Sequence, residues 1–156
     1  MVMPIRLYRQ ADAAALCDLF RCSVGTIGPR DYTPQQVAAW AEGPTPESLH
    51  ARLGDGRLAL VAEDEADRLL AFGDLEIDGH IDFLYAAPDA AGTGVVACLY
   101  DALEDAARTQ GITRLYSEAS EAARRFFLKK NFTVLHRRDF DVRGVPMHNY
   151  AVEKRL

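Results

Sequence analysis

The sequence predicts an α+β domain built on a mixed, mostly antiparallel sheet, and three observations carry that expectation. Apolar runs of strand length cluster in the middle and at the end of the chain, whereas helical spacing dominates the first third and returns twice later. One stretch reads strand, glycine loop, long amphipathic helix, strand, the pattern of a crossover that makes its two strands parallel neighbours. The pairs Asp78-Gly79 and Arg143-Gly144 instead mark tight antiparallel returns.

In chain order, Ile5 to Arg9 reads as a short strand and Ala13 to Phe20 as a helix, with Leu16, Leu19 and Phe20 at helical spacing. Thr33, Pro34 and Gln36 have the N-cap, first-turn proline and N3 glutamine that open a helix, whose apolar face is Val37, Trp40 and Ala41. Thr45 and Pro46 start another, carrying Leu49 and Leu53, and Gly54 and Gly56 end it. Strands follow at Leu58 to Ala62, Leu69 to Ile77 and Ile81 to Ala86, a meander turned at Asp78-Gly79. The loop Asp89 to Gly94 leads into a helix with Val95, Cys98, Leu99, Ala102, Leu103 and Ala106 inward, stopped by Gly111. Thr113 to Ser117 is a strand, Glu121 to Lys130 a helix, and two strands flank Arg143-Gly144.

The chain has 156 residues, 49% apolar and 26% charged, which fits one domain over residues 1–156 with a core that needs neither disulfide nor metal. Cys17, Cys22 and Cys98 are odd in number and lie in apolar segments, so buried thiols in a reducing compartment are expected, and no His/Cys spacing suggests a metal. No apolar stretch reaches signal-peptide or membrane-spanning length, and a cytoplasmic location with no membrane partner is the expectation. A net charge of −5 argues against a nucleic-acid partner. The one basic cluster, Arg124, Arg125, Lys129 and Lys130, suits either a solvated helix face or contact with cofactor phosphates.

The sharpest feature is Leu84-Tyr85-Ala86-Ala87-Pro88-Asp89, a strand end, followed by Ala91-Gly92-Thr93-Gly94-Val95-Val96 at the start of the long helix. Glycines let backbone N–H groups approach an anion, and the helix N-terminus adds a favourable dipole. A plain tight turn would use the same glycines.

This stretch resembles the coenzyme A pyrophosphate loop of GNAT acetyltransferases. Ser120, Ala123, Phe126, Phe127, Lys130 and Phe132 resemble that family's second motif, in the expected place after the next strand. Asp31 to Gln36, followed by Ala39-Trp40, is similar to a bacterial branch. The resemblance spans nearly the whole chain and implies a layered fold, with helices on both faces of the sheet. It implies acetyl-CoA as acyl donor, no metal, and a small-molecule or peptide amine as acceptor; a homodimer is possible. It also implies cofactor contacts from Leu84, Tyr85 and Ala86, from Ala91 to Val96, and from Ser120, Ala123, Phe126, Phe127 and Lys130. Tyr32 and Trp40 would wall the acceptor pocket. Ala91 and Thr93 replace residues that are commonly cationic in the family, and Val96 replaces a small one. The alternative expectation is therefore a non-catalytic or weakly binding module with a degenerate loop.

An alkylamine is protonated at neutral pH, and reaching its nucleophilic form near pH 7.4 costs roughly 4 kcal/mol, so a base is expected. Asp82, on the strand before the loop, is the first candidate, and Glu76 the second. Asp74, Glu76 and Asp78 form an acidic stripe that would either attract a cationic amine or face solvent. With a two-residue turn at Asp78-Gly79, Asp82 pairs with Leu75 and faces away from that stripe. The resemblance further implies an N–H near Tyr85 or Ala86 as the oxyanion donor. The family's tyrosine acid is Phe127 here, which leaves Tyr150, Tyr116 or His148 as substitutes.

Overall fold

The computed structural model describes residues 4–156. The first half contains β1 (Ile5–Leu7), α1 (Ala13–Ile27), α2 (Pro34–Ala41), α3 (Pro46–Leu53), β2 (Leu58–Glu63) and β3 (Leu69–Leu75). The second contains β4 (Leu84–Ala86), α4 (Val95–Thr109), β5 (Arg114–Ala119), α5 (Glu121–Lys129), β6 (Thr133–Val142) and β7 (Val145–Arg155). The expected order of elements is present throughout. β1 ends two residues early because Asp12 turns the chain: its carboxylate accepts from the Arg9 N–H at 2.8 Å and from both terminal nitrogens of Arg6 at 2.9 Å. α1 continues seven residues past Phe20, burying Ser23 and Val24 as well.

Local chemistry sets the helix starts. Thr33 accepts from the Gln36 N–H at 3.2 Å while the Gln36 amide oxygen accepts from the Thr33 N–H at 2.9 Å, with Pro34 at the first helical position. The same Gln36 donates to the Pro146 carbonyl, which ties α2 to β7. Asn131 takes φ +69° at the end of α5, so its short polar side chain occupies the left-handed cap that usually falls to glycine.

The strands form two antiparallel ladders, β1-β2-β3-β4 and β5-β7-β6. The expected parallel neighbours meet at one bridge only, His80 beside Tyr116, where Ile81 N–H donates to Tyr116 O and Tyr116 N–H to Gly79 O. Beyond that bridge β4 stays with β3 and β5 goes to β7, so the two segments diverge. Helices cover both faces of the first ladder. Phe20 of α1 packs edge-on against Tyr85 on one face, and Leu103 of α4 approaches Gly73 on the other.

Two apolar clusters result. One joins α1 and α3 to β2, β3 and the first turns of α4; the other joins the later turns of α4 to β5, α5, Phe132 and Val152. The inner face of α4 differs from the expected one. Tyr100 and Ala107 are buried beside Val95, Leu99 and Leu103, while Cys98 is exposed. The reason is α5, whose Phe126 and Phe127, with Phe132, pack edge-on around Tyr100 and give α4 a second buried face. Of the three cysteines only Cys17 is buried; Cys22 and Cys98 are exposed, a correction to the expectation from their apolar surroundings.

Gly79 sits at the junction of the ladders with φ +96°, and a Cβ there would overlap the Arg114 carbonyl oxygen. Gly79→Ala should therefore lower stability by about 3 kcal/mol, from left-handed backbone strain and displacement of β5. Urea denaturation would check this as a fall in midpoint.

Candidate active site

The cleft opens where β4 and β5 part, with a volume of about 680 Å³. Its cause lies one residue position back. Asp74, fully buried on β3, accepts the N–H groups of Asp82 at 2.9 Å and Phe83 at 2.7 Å on Oδ1, and Arg57 Nη1 at 2.6 Å on Oδ2. Asp82 and Phe83 thus spend their amides on a side chain, and regular β3–β4 pairing resumes only at Gly73 with Leu84. Burial pushes the Asp74 carboxyl up to about 6, against the pull of the bonds it accepts.

This broken ladder corrects the expected separation of the carboxylates. Arg57 Nη1 also donates to Asp82 at 3.0 Å, and its Nη2 lies 3.6 Å from Glu76. Asp74, Glu76 and Asp82 therefore gather round one guanidinium, and Asp74 is buried rather than facing solvent. The pairing arithmetic was sound for residues 84–86, but the alternation of faces fails where the pleat is interrupted. Arg52 lies 3.6 Å from Asp82 on the other side.

The open edge of β4 follows from hydrogen-bond parity. Asp74 N–H bonds to Phe83 O and Ala87 N–H to Leu70 O, so the alternating bonded pairs include Phe72 with Tyr85. Leu84 and Ala86 then direct their amides away from β3, towards the gap. Ala86, rather than Tyr85, is the donor available there.

Of the residues expected at the site, Asp82, Leu84, Tyr85, Ala86, Ala91, Gly92, Val96, Ser120, Ala123, Phe126, Phe127, Tyr32 and Trp40 line the cleft. Gly92 and Gly94 take φ +78° and +92°, with Gly94 capping α4. The first intrahelical bond runs from Cys98 N–H to Gly94 O, which leaves the amides of Val95, Val96 and Ala97 without helical acceptors. That set of donors, open above both glycines, fits a pyrophosphate. Val95 turns its side chain into the core, and the Thr93 hydroxyl bonds back to Ala90 O. Ala91 contributes no cation. Among the cations that line the cleft, Arg125 is held by Asp31 at 2.9 Å, whereas Lys129 and Arg30 have no ion-pair partner among the described residues.

Five expected participants lie elsewhere. Lys130 turns to Asp101 at 2.8 Å, over the Tyr100 ring. Tyr150 donates to Glu121 at 2.9 Å, a bond that raises its pKa, and His148 Nε2 shares the same carboxylate oxygen at 2.7 Å. Glu76 bonds His80 Nδ1 at 2.7 Å, outside the cleft lining. Phe127 is buried against Phe132, with ring centres 4.6 Å apart, and brings no hydroxyl. Tyr116 is occupied by Asp78. None of the substitute acids lines the cleft.

Tyr32 and Trp40 stand edge to face at 5.5 Å, and Trp40 meets Tyr85 at 6.5 Å, so three aromatic rings form one wall. The Tyr32 hydroxyl donates to His148 O and accepts from Glu121 N–H, both at 3.1 Å. The residues that the sequence did not single out are Arg57, His80 and Glu118. A register drawn for the parallel crossover would have found Glu118, which falls opposite Asp82 two residues past the bridge.

Two ladders that part around a glycine-led helix define an acetyltransferase of the acyl-CoA type. A family model described as "Acetyltransferase (GNAT) domain" matches residues 29–154, and the chain belongs to that family. A crystal structure of the GCN5-related N-acetyltransferase from Rhodopseudomonas palustris is 33% identical, with a TM-score of 0.91 over 100% of this chain and 99% of that one. The PaiA N-acetyltransferase from Thermoplasma acidophilum, solved with coenzyme A, shares the fold at a TM-score of 0.78 and 21% identity, covering all of both chains. The Escherichia coli (strain K12) protein "Uncharacterized N-acetyltransferase YafP" is 27% identical over 146 residues, 94% of this chain and 91% of its own.

Ala91→Arg should tighten acetyl-CoA binding by about tenfold or more, by adding a charge-assisted bond to amides already in place. Calorimetric titration of both proteins would measure it, and unchanged affinity would mean that residue 91 does not face the phosphates.

Proposed function

We propose that this chain, acting as one domain, transfers an acetyl group from acetyl-CoA to the amine of a small molecule or peptide by direct attack in a ternary complex. The observation that carries this reading is the wedge between β4 and β5. It has free amides on one lip, a carboxylate at its apex and open helix-terminal donors at its mouth. The cosubstrate would supply an activated thioester. The amides of Gly92, Gly94, Val95 and Val96 would hold its pyrophosphate, and Ser120, Ala123 and Phe126 would flank it. The Ala86 N–H is aimed to stabilise charge that develops on the acetyl oxygen.

Asp82 takes one proton from the incoming ammonium, directly or through one water, the freed nitrogen attacks the acetyl carbon as the C–S bond breaks, and the nitrogen then gives up its remaining surplus proton to solvent. With Phe127 in place of the family's tyrosine and the Tyr32 hydroxyl already donating to His148 O, the thiolate leaves unprotonated and takes its proton from solvent. A thiol with a pKa of about 8.5 permits this. Tyr32, Trp40 and Tyr85 exclude water from the acceptor side.

Calorimetry with acetyl-CoA, and free CoA as comparison, is the first test. Micromolar binding followed by turnover in an amine screen is expected. No interaction up to millimolar ligand, by heat or by thermal shift, would favour a module whose loop has lost the cofactor. Asp82→Asn should lower kcat by about a hundredfold while leaving acetyl-CoA affinity within twofold. Full turnover in that variant would remove Asp82 from the mechanism.

A further inference from the structure

The bridge between His80 and Tyr116 fixes a correspondence between the two diverging segments. Two residues past His80 stands Asp82, and two residues past Tyr116 stands Glu118; both line the cleft. The two carboxylates occupy matching positions on the lips of the wedge. Each has a cationic partner behind it. Asp82 is backed by Arg57 and Arg52, and Glu118 Oε1 accepts from His80 Nε2 at 2.8 Å. His80 is in turn fixed by Glu76, 2.7 Å from its Nδ1, and by the Tyr116 ring, with centres 4.8 Å apart.

We propose that Glu118 is the second carboxylate that receives the acceptor's ammonium, opposite Asp82, and that His80 is the positioning residue that holds Glu118 in place. This rests on the acetyl-transfer reading above. An ammonium carries three N–H donors and no acceptor, so carboxylates on the two lips of one cleft suit it. A carboxylate on the carbon next to the amine would face both of them and be repelled. The acceptor is therefore an amine without an adjacent carboxylate, and free α-amino acids are disfavoured.

The histidine keeps its partner ionised. The Glu118 bond, opposed by burial and aided by Glu76, raises His80 to about 9, and His80 holds Glu118 below its ordinary range. The groups around His80 are Glu76, Asp78 and Asp82 on the β3–β4 segment and Tyr116 and Glu118 on β5. Arg57 pairs with Glu76 and Asp82 behind it, and Arg138 of β6 acts on Glu118. At neutral pH His80 is thus a cation, and it loses its charge only as the pH rises through about 9.

The test uses side-chain nitrogen NMR of His80 in the purified protein, with n-butylamine as probe and norvaline, which adds one carboxylate beside the amine, as comparison. His80 should titrate near 9 in the wild type and lower in Glu118→Gln. Butylammonium should move the Nε2 resonance of the wild type, norvaline should do so far less, and neither should do so in Glu118→Gln. In turnover with butylamine, Glu118→Gln should raise KM about ten- to a hundredfold with a smaller change in kcat. His80→Gln keeps a hydrogen bond but not the charge, and should move the acidic limb of kcat/KM to higher pH. An unchanged KM in Glu118→Gln, an unmoved limb in His80→Gln, or equal responses to butylamine and norvaline would overturn the proposal. A failure to bind acetyl-CoA would instead count against the acetyl-transfer reading, and the NMR responses of His80 would still decide the roles of Glu118 and His80.

Discussion

The buried carboxylate of Asp74 is the constraint on which the rest of the structure depends. An ionised group at that depth is stable only when its lone pairs are filled, and here two backbone amides and a guanidinium fill them. The Phe83 amide would otherwise continue the ladder between β3 and β4, and that of Asp82 would point away from β3. By taking them, Asp74 releases the chain at residues 81–83, so that Ile81 can pair with β5 while Leu84 returns to β3. The wedge is thus the geometric result of a side chain substituting for a strand. Arg57 then links the device to the cleft, since the guanidinium that compensates Asp74 also donates to Asp82.

The polar arrangement at the wedge is continuous. Glu118, His80, Glu76, Arg57 and Asp82 alternate in sign from one lip to the other, each within salt-bridge distance of the next. Charges in such a chain shift one another's protonation, so a change at one lip is felt at the other. On the far side of the cleft the Tyr32 hydroxyl bridges β7 and the start of α5, which ties the aromatic wall to the second ladder.

Much of the fold was legible in the sequence because it is written in local signals. The capping box at Thr33, the glycines before α4 and the turn at Arg143-Gly144 all depend on neighbours within four residues, and each forms as expected. The register of residues 84–86 on β3 was legible too. What could not be read depends on contacts between distant segments. Asp74 looked like one member of a solvent-facing stripe because nothing near it in sequence announces that its oxygens will take the amides of residues 82 and 83. Arg57 lies beyond reach of any local pattern, and Lys130 looked available for phosphate until Asp101, about two turns into α4, proved to hold it. Tyr100 was missed for the same reason: its burial comes from α5, not from the sheet.

The cleft lies on the boundary between two apolar clusters, both of which α4 and β3 enter. The aromatic wall and Asp82 belong to one side, while α5 and Glu118 belong to the other. Packing couples residues strongly within a cluster and weakly across such a seam. Trp40 and Tyr85, which pack within the first cluster, can therefore vary while the second cluster, with its ring of phenylalanines, stays unaltered; Tyr32, bonded across the cleft, has no such freedom.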